Sequence, residues 1–293
     1  MEIGTVLCPI DFTPLSERAV DIAVDLCRRF GARLVLEHNL DPRPPAFLAV
    51  TWMWSEGRGP GDESQARDAE RRLRELLARL PAELPREAKL TRGPLDLGLL
   101  EVANLLPADL VVMGSHGWSS AEHHSLTEQI LDSAPCPVLT LADTSQDRGF
   151  LGTEPSPVLV PVDLSAHSRT TVQQALHLAE SLPIVLHVLH VERPPLEPGD
   201  VESDRRRLES LVPEALRDRV WFHLRAGTPV EEILGASAEL GAKLILMGCH
   251  AKGALDRFFS GATARDVLHR APCPVWFEPA SRSRAAAHHA AAS

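Results

Sequence analysis

The sequence lacks the features of several protein classes. It contains no stretch approaching the roughly 20 apolar residues of a membrane-spanning helix, and no basic region followed by an apolar run near the amino terminus. Positive charge is also scarce, since the formal net charge is -10. Binding to DNA, RNA or an anionic membrane needs clustered positive charge, so none of these partners is expected. We expect a cytoplasmic protein.

Paired cysteines and common catalytic motifs are missing as well. The five cysteines include no C-x-x-C pair, which fits free thiols in a reducing compartment, and Cys8, Cys136 and Cys273 are expected in the core. No P-loop, no G-x-G-x-x-G after a strand and no G-x-S-x-G elbow is present, so an ordinary ATPase, dehydrogenase or hydrolase has little support. His123 and His124 lack partners in a metal-ligand spacing, so no metal site and no catalytic residue is predicted.

The sequence does contain an internal repeat. Three motifs of the first half return in the second half: Val6–Asp11 as Leu159–Asp163, Val112–His116 as Leu246–His250, and Ala134–Val138 as Ala271–Val275. Two copies of one domain are therefore joined in tandem.

The two copies differ in length at two places. Asp11 and Asp163 are 152 residues apart, whereas Gly93 and Gly227 are 134 apart, so the first copy carries an insertion of 18 residues. Residues 41–62 are the candidate, and the Trp52 and Trp54 side chains within it are expected to close over the first core, with an interface role as the alternative. The first copy is also three residues shorter between its glycine loop and its last strand.

Each copy alternates short apolar strands with amphipathic helices. Val20, Ala23, Val24 and Cys27 follow the i, i+3, i+4, i+7 spacing of a buried helix face, and Gly31 is expected to end that helix. Continuous apolar strands separated by helices predict an α/β fold with two doubly wound parallel sheets. In such sheets, ligands bind beyond the strand carboxyl ends where the winding reverses. If strands one and four flank that point, Asp11 and Gly114 face one crevice, and Asp163 and Gly248 face another.

Together these motifs resemble the universal stress protein family in its tandem two-domain form. The resemblance rests on the P-x-D-x-S/T opening (Pro9–Thr13 and Pro161–Ser165), the V-M-G-S-H-G loop from Val112, and the A-P-C-P-V endings, and it covers Thr5 to about Pro279. It implies two five-stranded, Rossmann-like sheets of the adenine-nucleotide alpha-hydrolase type, related by a pseudo-twofold axis. The copies are expected to pair through their last strands, Val138–Leu141 and Val275–Phe277, and a homodimer of chains is a further expectation.

The repeat and the resemblance predict the domain bounds. Residues 1–143 form the first domain, residues 144–156 a linker, residues 157–280 the second domain, and residues 281–293 a disordered tail.

ATP-binding members of the family carry G-x2-G-x9-G followed by Ser or Thr, and both copies depart from this pattern. The second copy keeps the spacing, but Ala251 replaces the middle glycine and Ala262 the hydroxyl residue. In the first copy the loop is shortened, and His124 and Ser125 stand where Gly and Ser are expected. Glycines let backbone N–H groups approach phosphate oxygens, and the following helix adds its positive end. The second copy is therefore the better candidate.

The resemblance implies a set of nucleotide-binding residues in each copy. In the second copy these are Pro161, Asp163, Val191, Met247, Gly248, Ala251, Gly261, Ala262 and Thr263. The weaker set in the first copy is Pro9, Asp11, Met113, Gly114, Gly117 and Ser125. The two aspartates resemble the family aspartate near adenine and ribose, and capping of the first helix is their alternative role. His116 and His250 are expected to hold their loops by hydrogen bonds rather than to catalyse.

The leading functional hypothesis is an adenine-nucleotide-binding regulatory module of the stress response, with ATP and Mg²⁺ as ligand. Such a module needs different affinities of the nucleotide for two states of the protein. Two alternatives stay open: a nucleotide-independent scaffold or partner-binding protein with degenerate sites, and a slow ATPase or self-phosphorylating protein.

Overall fold

The computed structural model describes residues 2–40, 62–92, 95–115, 126–145, 150–192, 200–249 and 261–279. Most of the predicted insertion, including Trp52 and Trp54, lies outside these ranges, as does the predicted tail. The chain forms two compact units, one of Ile3–Met113 and one of Met1–Glu2 with Gly114–Ser293.

The described elements of the first unit form a parallel sheet with helices between its strands. In chain order they are β1 (Thr5–Pro9), α1 (Pro14–Phe30), β2 (Arg33–Leu40), α2 (Asp62–Arg79), β3 (Arg86–Arg92), α3 (Leu95–Leu105) and β4 (Leu110–Gly114). The spatial order of the strands is β3-β2-β1-β4. β1 pairs in parallel with β2 on one side and with β4 on the other.

The second unit repeats this plan and adds two strands. Its elements are α4 (Leu126–Ser133), β5 (Val138–Leu141), β6 (Ser156–Val162), α5 (Ala166–Ser181), β7 (Ile184–Glu192), α6 (Asp200–Ser210), a 3-10 helix (Glu214–Arg219), β8 (Val220–Ala226), α7 (Pro229–Leu240), β9 (Leu244–Cys249), α8 (Gly261–Arg270) and β10 (Val275–Pro279). The strands lie in the order β5-β10-β9-β6-β7-β8. β5 pairs with β10 in antiparallel orientation, and Val138 lies opposite Phe277, so the two predicted last strands do pair with each other.

The cores explain why the sequence forms this fold. In β1, Val6, Leu7 and Cys8 are fully buried, as expected of a strand covered on both faces. The second unit has a continuous core in which residues of β6, β7, β9 and β10 pack against α7 and α8. These observations confirm the predicted doubly wound α/β fold.

The cysteines belong to these cores. All five are buried and free of disulfides. Burial raises the pKa of the Cys273 thiol to about 11 and that of Cys27 to about 12. A thiol held in its protonated form is a poor nucleophile, so these side chains serve packing rather than chemistry.

Both ends of α1 follow local sequence signals. Thr13 is the N-cap, and its side chain accepts a hydrogen bond from the backbone N–H of Ser16, with Pro14 as the first helical residue. Gly31 ends the helix in the left-handed conformation, with φ of 66°. The predicted end of this helix is therefore confirmed.

Replacement of Gly31 by alanine tests this helix end. A Cβ at this position would meet no atom within 4 Å, so the cost comes from the left-handed backbone alone. We expect Gly31→Ala to lower the free energy of unfolding by about 1–2 kcal/mol. Chemical denaturation followed by circular dichroism measures this change. Gly152→Ala is the matched control, because Gly152 has an ordinary φ and an open surrounding; equal losses in both variants would contradict the explanation.

Candidate functional site

The winding of the second unit reverses between β6 and β9. β6 and β9 are neighbours in the sheet. β7 follows β6 in the chain and lies beyond it in one direction, whereas β10 follows β9 and lies beyond it in the opposite direction. β6 and β9 are parallel neighbours, with Leu159 opposite Ile245. Their carboxyl ends therefore share one edge of the sheet, and Asp163 after β6 and Gly248 near the end of β9 both lie there. β1 and β4 of the first unit are neighbours in the same way, and they bring Asp11 and Met113 to one edge.

The aspartate after the first strand of each copy organises the turn into the following helix. Asp163 Oδ1 accepts hydrogen bonds from Ser165 N (3.0 Å) and Ser168 Oγ (2.7 Å). Asp11 Oδ1 accepts from Thr13 N (3.0 Å) and Thr13 Oγ1 (2.6 Å). Partial burial raises the pKa of Asp11, but hydrogen bonds from Thr13 and Ser16 outweigh it and hold the pKa below its ordinary value.

The alternative role predicted for these aspartates needs a correction. The N-cap residues are Thr13 and Ser165, not Asp11 and Asp163. Each aspartate lies two residues earlier and binds the capping residue instead, because its short side chain reaches the backbone N–H two positions along the chain. The carboxylates thus position the start of each helix without capping it.

The residue after each aspartate has an unusual backbone conformation. Phe12 has φ of 63° and Leu164 has φ of 58°. The left-handed region costs a bulky residue roughly 1–2 kcal/mol, and such strain clusters at functional sites. In each copy an arginine of the second helix, α2 in the first copy and α6 in the second, contacts this turn. The guanidinium carbon of Arg72 lies 4.1 Å from the Phe12 ring centroid, and Arg207 Nη2 donates to Leu164 O at 3.4 Å.

A histidine on the second strand of each copy binds the same turn. His38 Nδ1 lies 2.6 Å from Ile10 O, and His190 Nδ1 lies 2.9 Å from Val162 O. A carbonyl oxygen only accepts hydrogen bonds, so Nδ1 carries the proton and donates in both rings. The sequence alone assigned no role to these histidines, although they are 152 residues apart, as Asp11 and Asp163 are. Their recurrence at the same position was the signal that could have revealed their role.

On the second strand of each copy, two equivalent positions near the strand's end differ in polarity between the copies. In the second copy, Leu189, Val191 and Met247 are buried and apolar. The residues of the first copy that correspond to Leu189 and Val191 are Glu37 and Asn39.

These polar residues form a short hydrogen-bonded chain with Thr91. Asn39 Nδ2 donates to Thr91 Oγ1 at 3.0 Å, and the Thr91 hydroxyl donates to Glu37. Only 1% of Glu37 is exposed. This burial, opposed by the bond from Thr91, raises the pKa of the Glu37 carboxyl to about 7. The first copy therefore has a buried, titratable group where the second has hydrocarbon.

The remaining predicted residues fall in several places. Pro161 lies in β6, and Pro9 ends β1. Gly114 ends β4, and its carbonyl oxygen accepts a hydrogen bond from Thr127 Oγ1 at 3.5 Å. The first residues of α8 are Gly261, Ala262 and Thr263. Gly117, Ser125 and Ala251 lie outside the described residues, as do His116, His123, His124 and His250.

The described parts of the chain show neither a metal-binding cluster nor a membrane-spanning helix. They contain no group of three or more His, Cys, Asp or Glu side chains able to hold a metal ion. None of their helices is long and apolar enough to cross a membrane.

The buried carboxyl of Glu37 predicts a pH dependence of stability. Its pKa of about 7 lies above its ordinary value of 4.5, so the folded protein binds this proton more tightly than the unfolded chain does. The resulting stabilisation is complete below the ordinary pKa and is lost as the pH rises through 7. Between about pH 5 and about pH 8, we expect the free energy of unfolding to fall by about 3 kcal/mol more in the wild type than in Glu37→Gln.

Denaturation series at several pH values measure this difference. The control is Glu87→Gln on the neighbouring strand, where 42% of the side chain is exposed. We expect this control to keep the pH slope of the wild type. Identical slopes for the wild type and Glu37→Gln would show that Glu37 does not titrate in this range.

Comparisons with known proteins agree with this architecture. The model of the universal stress protein family matches residues 2–141 and again residues 155–277. A universal stress protein of Mycobacterium tuberculosis is 27% identical over 192 residues, which cover 60% of this chain and 63% of that relative. The chain thus spans less than two thirds of the length of this relative. A universal stress protein of Thermus aquaticus is 33% identical over 129 residues, which cover 40% of this chain and 94% of that protein.

A solved structure shows the same fold over nearly the whole chain. The crystal structure of a universal stress protein from Archaeoglobus fulgidus has a TM-score of 0.74 and 20% sequence identity, and the match covers 96% of this chain and 100% of that one. The two matches of the family model account for most of the residues and coincide with the internal repeat. The chain therefore belongs to the universal stress protein family, in the tandem two-domain form.

Proposed function

We propose that this protein is an adenine-nucleotide-binding regulatory module of the stress response, with ATP and Mg²⁺ as its ligand. The second copy holds the principal site in this proposal. The observation that carries it is the position of Asp163 and Gly248 at the carboxyl ends of neighbouring parallel strands, where the winding of the sheet reverses. Ligands of doubly wound α/β proteins bind at such points.

The wall of the second copy suits the adenine ring. Val191 and Met247 belong to the buried apolar core at the carboxyl ends of β7 and β9, so these two positions bring no polar side chain to the base of the crevice. In the first copy the position of Val191 is occupied by Asn39, next to the buried carboxyl of Glu37. Covering such polar groups with a ring that does not hydrogen-bond to them costs free energy. This contrast favours the second copy.

The start of α8 suits the phosphates. Gly261, Ala262 and Thr263 form its first turn, where backbone N–H groups lack partners within the helix and the helix dipole is positive. The alanine at 262 lacks the hydroxyl of the family pattern, and the loss of one such hydrogen bond weakens binding by about 0.5–1.5 kcal/mol. Affinity for ATP is then reduced but not abolished.

Regulation follows if ATP binds one conformation of the protein better than another, because a ligand shifts a population only by its differential affinity. We place the module in the cytoplasm, since its five free cysteines fit a reducing compartment. A homodimer of chains is part of the same proposal. The Asn39 and Glu37 wall makes the first copy the weaker nucleotide site, with Pro9, Asp11, Met113, Gly114, Gly117 and Ser125 as its residues.

Calorimetric titration of the nucleotide-stripped protein with ATP and Mg²⁺ tests the proposal. We expect Gly248→Val to lower the affinity at least about tenfold, equivalent to 1.4 kcal/mol, because its side chain occupies space that the phosphates approach. Gly114→Val, at the corresponding position of the first copy, is the matched control and should leave the principal binding event unchanged. Thermal melting of each variant verifies that it is folded.

Three other results of this titration would support a different site or a different function. Binding lost in Gly114→Val but kept in Gly248→Val would move the site to the first copy. No binding at millimolar ATP would overturn the proposal and favour the nucleotide-independent scaffold. Phosphate release from bound ATP would instead indicate a slow ATPase.

A further inference from the structure

A pocket in the first copy lies beside Asp11, on the side of β2 and α2. It has a volume of about 410 Å³ and opens between the ends of β1 and β2 and the helix α2. Its lining includes Phe12, His38, Ala69 and Arg72. This volume falls within the range of small-molecule sites, which is roughly 300–1,000 Å³.

The second copy provides an internal template for this pocket. The buried residues Leu73 and Leu76 of α2 correspond, 135 residues later, to Leu208 of α6 and to Leu211, which directly follows that helix. The same offset relates Arg72 to Arg207, and these two arginines hold the equivalent left-handed residues Phe12 and Leu164. It also relates Ala69 to Asp204. The two helices are therefore equivalent, and at this position the second copy has a carboxylate where the first has alanine.

In the second copy this carboxylate lies between two nitrogen groups. Asp204 Oδ1 accepts a hydrogen bond from Arg207 Nη1 at 2.8 Å. Asp204 Oδ2 lies 3.9 Å from His190 Nε2, and the Nδ1 of this ring donates to Val162 O. The Asp204 side chain is only 18% exposed. The chain itself thus fills the position between the arginine and the histidine.

In the first copy the same two nitrogen groups are present, but Ala69 stands at the position of Asp204. His38 donates through Nδ1 to Ile10 O, and its Nε2 has no hydrogen-bond partner among the described residues. The guanidinium carbon of Arg72 lies over the Phe12 ring, and Arg72 forms no ion pair within the described part of the chain. The N–H groups of a guanidinium form a fork that matches the two oxygens of a carboxylate.

We propose that this pocket binds a small molecule through a carboxylate group, which lies between Arg72 and His38 where the second copy has Asp204. A hydrogen bond from His38 Nε2 to this carboxylate requires the doubly protonated ring, because Nδ1 already donates to Ile10 O. The carboxylates of Asp11 and Asp68 also line the pocket. They disfavour a ligand with further negative charge, such as a nucleotide triphosphate, so a monocarboxylate is the expected class. The site is independent of the principal nucleotide site proposed in the second copy, and it shares Asp11 with the weaker set of the first copy.

Acetate is the natural probe, because its methyl and carboxylate groups reproduce the side chain of Asp beyond Cα. NMR titration of protein labelled at histidine and arginine follows the side-chain signals of His38 and Arg72. Sodium chloride keeps the ionic strength constant and serves as the control anion. We expect saturable shifts of both signals with acetate, with a dissociation constant in the millimolar range, and none with chloride. The absence of saturable shifts at these two residues would overturn the proposal.

Variants in both copies distinguish a specific acetate site from nonspecific anion binding. Ala69→Asp supplies the carboxylate from the chain and should weaken acetate binding at least about tenfold, and Arg72→Gln should do the same without filling the pocket. Arg74→Gln, on the same helix but outside the pocket lining, should leave binding unchanged. Asp204→Ala should create an acetate response at His190 and Arg207 that the wild type lacks.

Ala69 is buried, so Ala69→Asp can fail to fold, whereas Arg72 is exposed. In that case Arg72→Gln is the variant that tests the acetate site. Retention of wild-type acetate affinity in folded Arg72→Gln would contradict the proposal.

Discussion

The parallel pairing of the first strand of each copy with its fourth strand is the constraint on which the rest of the structure depends. β6 beside β9 and β1 beside β4 bring residues more than 80 positions apart in sequence to one edge of a sheet. Because these strands are buried, hydrogen bonds and packing hold their ends rigidly. The turn after the aspartate can therefore sustain a strained residue, and the histidine of the neighbouring strand is positioned to bind that turn.

The two copies share this backbone framework but differ in the side chains around it. Each has an aspartate that binds the N-cap residue, a left-handed residue after it, and a histidine that donates to the preceding carbonyl. The walls diverge, with Glu37 and Asn39 in one copy and Leu189 and Val191 in the other. Ala69 and Asp204 differ in the opposite sense, because here the first copy has the apolar residue and the second the charged one. The two copies thus share the residues that form the turn, while the residues around it differ in polarity and charge.

Much of the fold was predictable from local pattern, whereas much of the site was not. The end of α1 at Gly31 and the strands Val138–Leu141 and Val275–Pro279 follow from glycine chemistry and apolar runs, which act over a few residues. The capping prediction for Asp11 was wrong because an aspartate and a threonine two residues apart can both cap, and only the coordinates show which one does. The left-handed Phe12 has no sequence signal at all, since a bulky residue is the last one expected there.

The sequence by itself determined the duplication, the family, the α/β class and the order of the elements, because repeats and hydrophobic periodicity are properties of neighbours along the chain. Only the tertiary structure decided which polar groups meet. His38 and Ile10, Arg72 and Phe12, and Glu37 and Thr91 are each separated by 28 or more residues. Burial of Glu37 and the pocket beside Ala69 depend on how β2, β3 and α2 pack, and packing is set by volume and contact in three dimensions rather than by position along the sequence.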